Sequence, residues 1–193
     1  MGFMRRIIFV GVLCCVFNVT AHADMFDFEG NIDYHNEVDY YYFSLSTSST
    51  LVEIWTDSYD GGANFDPITA LWDEPTGNLI AQNDDDASIR PADQTSWDSG
   101  IALSSLAAGD YFFTIASYNN FASGSNISDG FAFDGESPIP IEQWWVEAPG
   151  YYHLNFSGVD SVGEPVPVVP VPGAVLLGML GLGTAGMKFR KHS

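Results

Sequence analysis

The chain reads as an all-β protein, an antiparallel β-sandwich, on three observations. Between Asp24 and Pro172 the apolar residues recur with a period of two and helical periodicity is nearly absent. The alternating runs are short, rich in β-branched and aromatic residues, and separated by clusters of Gly, Asp, Asn and Ser. Tyr, Phe and Trp recur in every run, whereas a disordered acidic segment is poor in aromatics. The stretch between the two terminal segments, about 140 residues, suits one domain with a real core.

The elements follow in order. Met25 to Glu29 is a weak first strand. Asp39 to Leu45 is stronger, with Tyr41, Phe43 and Leu45 on one face and Tyr40, Tyr42 and Ser44 on the other. In Leu51 to Thr56, Val52 and Ile54 point inward and Glu53 toward water. The central stretch is Phe65 to Asp86: Ile68, Ala70 and Trp72 alternate with Thr69, Leu71 and Asp73, Pro75 to Asn78 break the run, and Leu79 to Ala81 returns as the second arm of a hairpin. A polar loop with Arg90 and Trp97 leads to a short strand near Ile101 to Leu103. Gly109 turns the chain into Asp110 to Tyr118, and Tyr151 to Phe156 is last, with His153 outward. One two-sheet core is expected to hold Tyr41, Phe43, Val52, Ile54, Ile68, Trp72, Tyr111, Phe113, Ile115, Leu154 and Phe156.

Charge narrows the partners. Between Asp24 and Pro172 the only basic side chain is Arg90, against all 25 acidic ones. Such a surface excludes nucleic acid, whose phosphates need clustered Lys and Arg, and repels anionic lipid. Two readings of the acidity stand side by side: solubility outside the cell, and calcium binding. Asn83, Asp84, Asp85 and Asp86 follow the hairpin, and Asp57, Asp60 and Asp66 lie in the loop DSYDGGANFD before it. The entry to one hairpin strand and the exit of the next share an end, so the two acidic loops should be neighbours. Adjacent carboxylates repel, so they are either fully solvated or neutralised by a cation such as Ca2+, which takes six to eight oxygens.

The connection from Asn119 to Gly150 is long for a structureless loop and carries Phe121, Phe131, Phe133, Trp144 and Trp145. It is either a flap packed over the sandwich or, through Trp144 and Trp145, an aromatic platform for the rings of a polysaccharide.

Several segments taken together resemble a family. Asp39-Tyr-Tyr-Tyr-Phe-Ser-Leu, Phe65-Asp-Pro-Ile with Gly77-Asn-Leu-Ile and Asn83-Asp-Asp, Leu106-Ala-Ala-Gly-Asp-Tyr-Phe and Tyr152-His-Leu-Asn-Phe are similar to the bacterial pre-peptidase C-terminal domain and its secreted relatives. The resemblance spans most of Asp24 to Val159. It implies an antiparallel jelly-roll-like β-sandwich that accompanies other extracellular activities and is not itself catalytic. No peptidase domain is attached here, and the Trp144-Trp145 insertion is extra.

The ends read as addresses. Arg5 and Arg6, an apolar run from Ile7 to Phe17, and Ala21 and Ala23 make residues 1–23 a signal peptide, cut by signal peptidase before Asp24. Cys14 and Cys15 lie inside that run, so the mature domain (24–160) has no disulfide or thiolate chemistry. Residues 161–172 form a Pro-rich linker, VPVVPVP at its end, and 173–193 an apolar, Gly-rich span closed by Lys188, Arg190 and Lys191. At 1.5 Å per residue the span reaches about 23 Å, near a membrane thickness once Lys188 snorkels. The order of proline, apolar span and basic tail resembles the PEP-CTERM sorting signal, with VPVPGA (ending in Val171, Pro172, Gly173 and Ala174) where the family has Pro-Glu-Pro. The resemblance implies transient inner-membrane insertion as a transmembrane helix and cleavage by an exosortase-type transpeptidase. A plain single-span anchor is the other reading, and both leave the basic tail in the cytoplasm and the acidic domain outside.

Templates for catalysis are absent. The mature domain has His35 and His153, far apart and expected to be solvated, with no GxSxG or HExxH. The sequence therefore predicts an exported, non-enzymatic sandwich at the cell envelope or in the extracellular matrix, with calcium and polysaccharide as its expected ligands. The competing class is a carbohydrate-active enzyme using Asp pairs near the aromatic flap.

Overall fold

The computed structural model of the protein describes residues 25–144 and 148–163. The expected signal peptide, Trp145, and the expected sorting residues Val171 to Ala174, Lys188, Arg190 and Lys191 lie outside them. Among the described residues no helix is long and apolar enough to cross a membrane.

Each alternating run becomes a strand: β1 (Met25–Asn31), β2 (Val38–Leu45), β3 (Val52–Thr56), β4 (Pro67–Asp73), β5 (Asn78–Asn83), β6 (Gly100–Leu103), β7 (Gly109–Ser117) and β8 (Tyr151–Ser157). A two-residue β9 (Ser161–Val162), too short for any periodicity, adds to the edge beside β2. Two antiparallel sheets form, ordered β1-β8-β3-β6 and β5-β4-β7-β2-β9. The pairs β1 with β8, β2 with β7, β3 with β6 and β4 with β5 are nested like one long hairpin rolled up, the wrapping of a jelly roll. The β4–β5 hairpin is the innermost pair. Gly77 closes its turn in the left-handed region (φ 69), its N–H donating to Asp73 O at 2.7 Å.

The register fixes the two ends of the sandwich. Met25 lies opposite Ser157, Glu53 opposite the same Ser157, and Leu45 opposite Gly109, so the start of β1, the end of β8 and β9 share one end. Thr56 faces Leu154, Pro67 faces Ser117 and Thr69 faces Asn83, which places the loops after β3, before β4 and after β5 together at the other.

Tyr41, Phe43, Leu45, Val52, Ile54, Leu71, Tyr111, Phe113, Ile115, Tyr152, Leu154 and Phe156 pack between the sheets, as alternation predicts for all strands but β4. There the expected face is inverted. Leu71 enters the inter-sheet core, while Ala70 and Trp72 belong to a second cluster on the outer face, with Val38, Phe112, Ala116 and Phe131. Ile68 shares that outer face with its register partner Ala116. The physical reason is that β4 is an interior strand buried on both sides, so period two separates its faces without saying which is inner. Trp72 stacks on Phe112 (5.9 Å, 6°), meets Phe131 edge-on, and donates its Nε1–H to Thr114 Oγ1 at 3.0 Å.

Residues 119–144 form the covering flap. They run down the outer face, where Ala122 N donates to Gln82 Oε1, Leu79 N to Ser125 O, and Ile127 N to Gly77 O. They then climb back to the far end, where Ile141 N donates to Asp33 O. His35, expected in solvent, is instead fully enclosed beneath the flap. Its Nδ1 accepts from Ile139 N at 3.1 Å, so the ring carries its proton on Nε2 and donates it to Glu136 at 3.2 Å. Inside the main core, Tyr152 donates to Asp39 Oδ2 at 2.5 Å and shares a 2.8 Å hydrogen bond with Tyr41. Burial is the main reason that the Asp39 carboxyl is pushed up to about 6.

Candidate metal centre

The two acidic loops meet, as the hairpin argument requires. Carboxylate oxygens of Asp66, Asp84 and Asp85 all lie within 4.8 Å of one another. Asp66 ends the loop before β4 and is held by Tyr118 N, which donates to its carbonyl at 2.8 Å. It is 6% exposed, and its Oδ1 has no hydrogen-bond partner. Asp84 is half-buried and its Oδ1 is likewise buried and unpartnered, while Asp85 opens to solvent. Burial, then the charges of Asp84 and Asp85, push the Asp66 carboxyl up to about 7. Burial and Asp85 raise Asp84, and burial raises Asp85. A buried acceptor with no donor is costly, and three carboxylates converging on one point make an all-oxygen, hard-ligand set suited to a divalent cation.

The other four expected ligands turn elsewhere. Asp57 accepts from His153 Nδ1 at 2.6 Å and from Asn155 Nδ2 at 3.1 Å on the outer face of the four-stranded sheet. Asp60 stands exposed in a left-handed conformation at the loop tip. Asn83 donates its Nδ2–H to Gly100 O at 2.9 Å and accepts Ser99 Oγ on its carbonyl. Asp86 caps its own turn by accepting from Ser88 N and Oγ. The half-buried Trp144 serves the flap: its ring lies 4.5 Å from His35 and 5.4 Å from Phe133, and its Nε1–H donates to Tyr118 O at 2.9 Å.

Sequence reasoning missed the residue that assembles these loops. Asp98 is fully buried, and its Oδ1 accepts from Ser58 N (2.9 Å), Tyr59 N (3.0 Å) and Thr56 Oγ1 (3.2 Å). Its Oδ2 accepts from Thr95 N (2.7 Å) and Thr95 Oγ1 (3.1 Å), and its carbonyl accepts from Asp86 N (2.9 Å). One carboxylate thus ties the loop after β3 to the loop after β5. Gln94 adds its Nε2–H to Thr56 O and accepts from Arg90 N. Arg90 itself lies 4.8 Å over Trp55 and 2.5 Å from Glu53, away from the cluster.

Neither a family model nor a curated protein matches the chain. Among solved structures, the chain is similar to the pre-peptidase C-terminal domain of collagenase from Bacillus anthracis, with a TM-score of 0.39 and 13% sequence identity over 72% of this chain and 88% of that one. The sandwich assignment rests on the two sheets described above.

Proposed function

We propose that this chain is an exported, non-catalytic β-sandwich protein, sorted to the cell envelope or extracellular matrix, that binds calcium at Asp66, Asp84 and Asp85 and engages polysaccharide. The observation that carries the cation reading is the orphaned, buried Oδ1 of Asp66, in a carboxylate that lies within 4.8 Å of two others. Calcium supplies what that oxygen lacks: a positive partner that needs no donor hydrogen. The three side chains offer up to six oxygens, and the exposed side at Asp85 leaves room for water or ligand. Magnesium fits poorly, because it demands near-octahedral geometry and sheds water reluctantly. Isothermal titration of the purified protein with calcium tests this. Binding that vanishes in an Asp84→Asn, Asp85→Asn double variant is the expected result, and no heat at millimolar calcium in low salt leaves the cluster as surface charge.

Export and sorting are supported by residues 1–23 and by the proline, apolar span and basic tail of 166–191. Signal peptidase and an exosortase-type transpeptidase are the processing partners of this reading. Surface-recovered protein should lack the apolar run from Gly173, and mass spectrometry that finds Gly173 to Ser193 intact there reduces the segment to an anchor. Polysaccharide incubated with the protein should gain no reducing ends.

A further inference from the structure

The two loops that carry the carboxylate cluster also carry an aromatic pair that no sequence motif announces. The Tyr59 and Trp97 rings are 5.0 Å apart and tilted by 34°. Tyr59 is buried, and Trp97 is 37% exposed, the most exposed tryptophan among the described residues. Tyr59 lies in the loop leading to Asp66, and the charges of Asp66, Asp85 and Asp98 add to burial in raising its hydroxyl. Trp97 precedes Asp98, whose carbonyl takes the N–H of Asp86. The pair and the three carboxylates are therefore mounted on the same loops, and Asp98 holds those loops together. Tyr59 is itself fixed at the centre of a tight turn. Its N–H donates to Asp98, and its carbonyl accepts from Gly62 N (3.0 Å), Ala63 N (3.1 Å) and Asn64 N (3.3 Å). An exposed indole packed against a fixed ring loses less freedom when a ligand arrives than one free on all sides.

We propose that Trp97, backed by Tyr59, is the sugar-stacking rim of the cation loops. A neutral polysaccharide presents two adjacent hydroxyls to a calcium ion held by Asp66, Asp84 and Asp85, and lays one ring face on the Trp97 indole. This inference rests on the calcium reading given above. Hydroxyl oxygens are hard neutral donors of the kind calcium accepts at positions the protein leaves open. Three carboxylates and one divalent ion leave the site net negative, so uronic acid polymers are repelled and neutral ones are not. The flat apolar face of the indole complements the C–H face of a pyranose. Trp144, by contrast, is occupied by His35 and Phe133.

The test uses purified protein, calcium titration, and two immobilised probes: mannan, a neutral polymer with vicinal cis-hydroxyls, and polygalacturonate. Wild type should bind mannan in calcium, release it in EDTA, and ignore polygalacturonate. Trp97→Ala should weaken mannan binding by about tenfold or more with calcium binding unchanged, and Trp144→Ala should leave mannan binding intact. Trp97→Leu, apolar but without a flat face, should repeat the loss and guards against a loop that collapses in the alanine variant. Mannan binding equal to wild type in both Trp97 variants, or persisting in EDTA, overturns the inference. So does a wild type that binds calcium but not mannan, or that prefers polygalacturonate. A wild type that binds no calcium removes the underlying reading and this inference together.

Discussion

Replacing Asp66 by Asn should move stability in opposite directions with and without calcium. A carboxyl raised from 3.8 to about 7 is harder to ionise in the folded protein by at most about 4 kcal/mol at pH 8. Water reaches the cluster from the Asp85 side and screens part of this, so about 2 kcal/mol is the expected remainder. Asn keeps the shape and removes the charge. In EDTA at pH 8, Asp66→Asn should therefore be more stable than wild type by about 2 kcal/mol, or roughly 6 °C in Tm for a domain of this size. In calcium the order should reverse. Wild type gains about 2.7 kcal/mol when free calcium is a hundredfold above Kd, and the variant, lacking its most buried ligand, gains little. The assay is a set of four urea melts, two proteins in EDTA and in calcium. At pH 5 the advantage of the variant in EDTA should fall to less than half, because wild-type Asp66 then takes up its proton. A variant no more stable than wild type in EDTA at pH 8, or one that gains as much from calcium as wild type, would refute the reasoning.

Asp39 and Asp66 both bind a proton more tightly folded than unfolded, so their favourable contribution is complete below about pH 4 and is lost as pH rises to about 7. Wild type in EDTA should accordingly be about 2 kcal/mol more stable at pH 5 than at pH 8, read by urea denaturation. Asp98→Ala strands the N–H groups of Ser58, Tyr59 and Thr95 and should cost about 3 kcal/mol along with calcium binding, whereas Asp98→Asn should be milder because it keeps one acceptor oxygen. Phe131→Ala opens the outer cluster over Trp72 and should cost about 3 kcal/mol. Hydrogen exchange should show the loss first at the amides of Ala122 and Ile127, with β7 and β8 still protected.

Strand positions were legible where the runs alternate, as in Asp39 to Leu45 and Leu51 to Thr56, or are bounded by turn residues such as Gly77 and Gly109, and the hairpin rule brought Asp66 to Asp84 and Asp85 without any metal motif. Two kinds of fact were not legible. The inner face of β4 depends on which side the 119–144 flap covers, and that is a tertiary event with no mark in PITALWD. Asp98 carries only a local mark, the Thr95 three residues before it, whose N–H and hydroxyl its carboxylate accepts; the donors that make it a tie between loops, in Ser58 and Tyr59, lie about forty residues earlier in the chain. His35 escaped for the same reason: its partners Ile139 and Glu136 belong to the flap.

The register of the two sheets also sets an orientation. The chain enters at Met25 and leaves past Val162 at one end, and the carboxylates and Trp97 belong to loops at the other. Strands of about seven residues at 3.3 Å each separate these ends by about 23 Å. A chain held by its C-terminal side would therefore point its acidic loops outward, like the head of a pin, where an approaching polymer would meet them before the surface beneath.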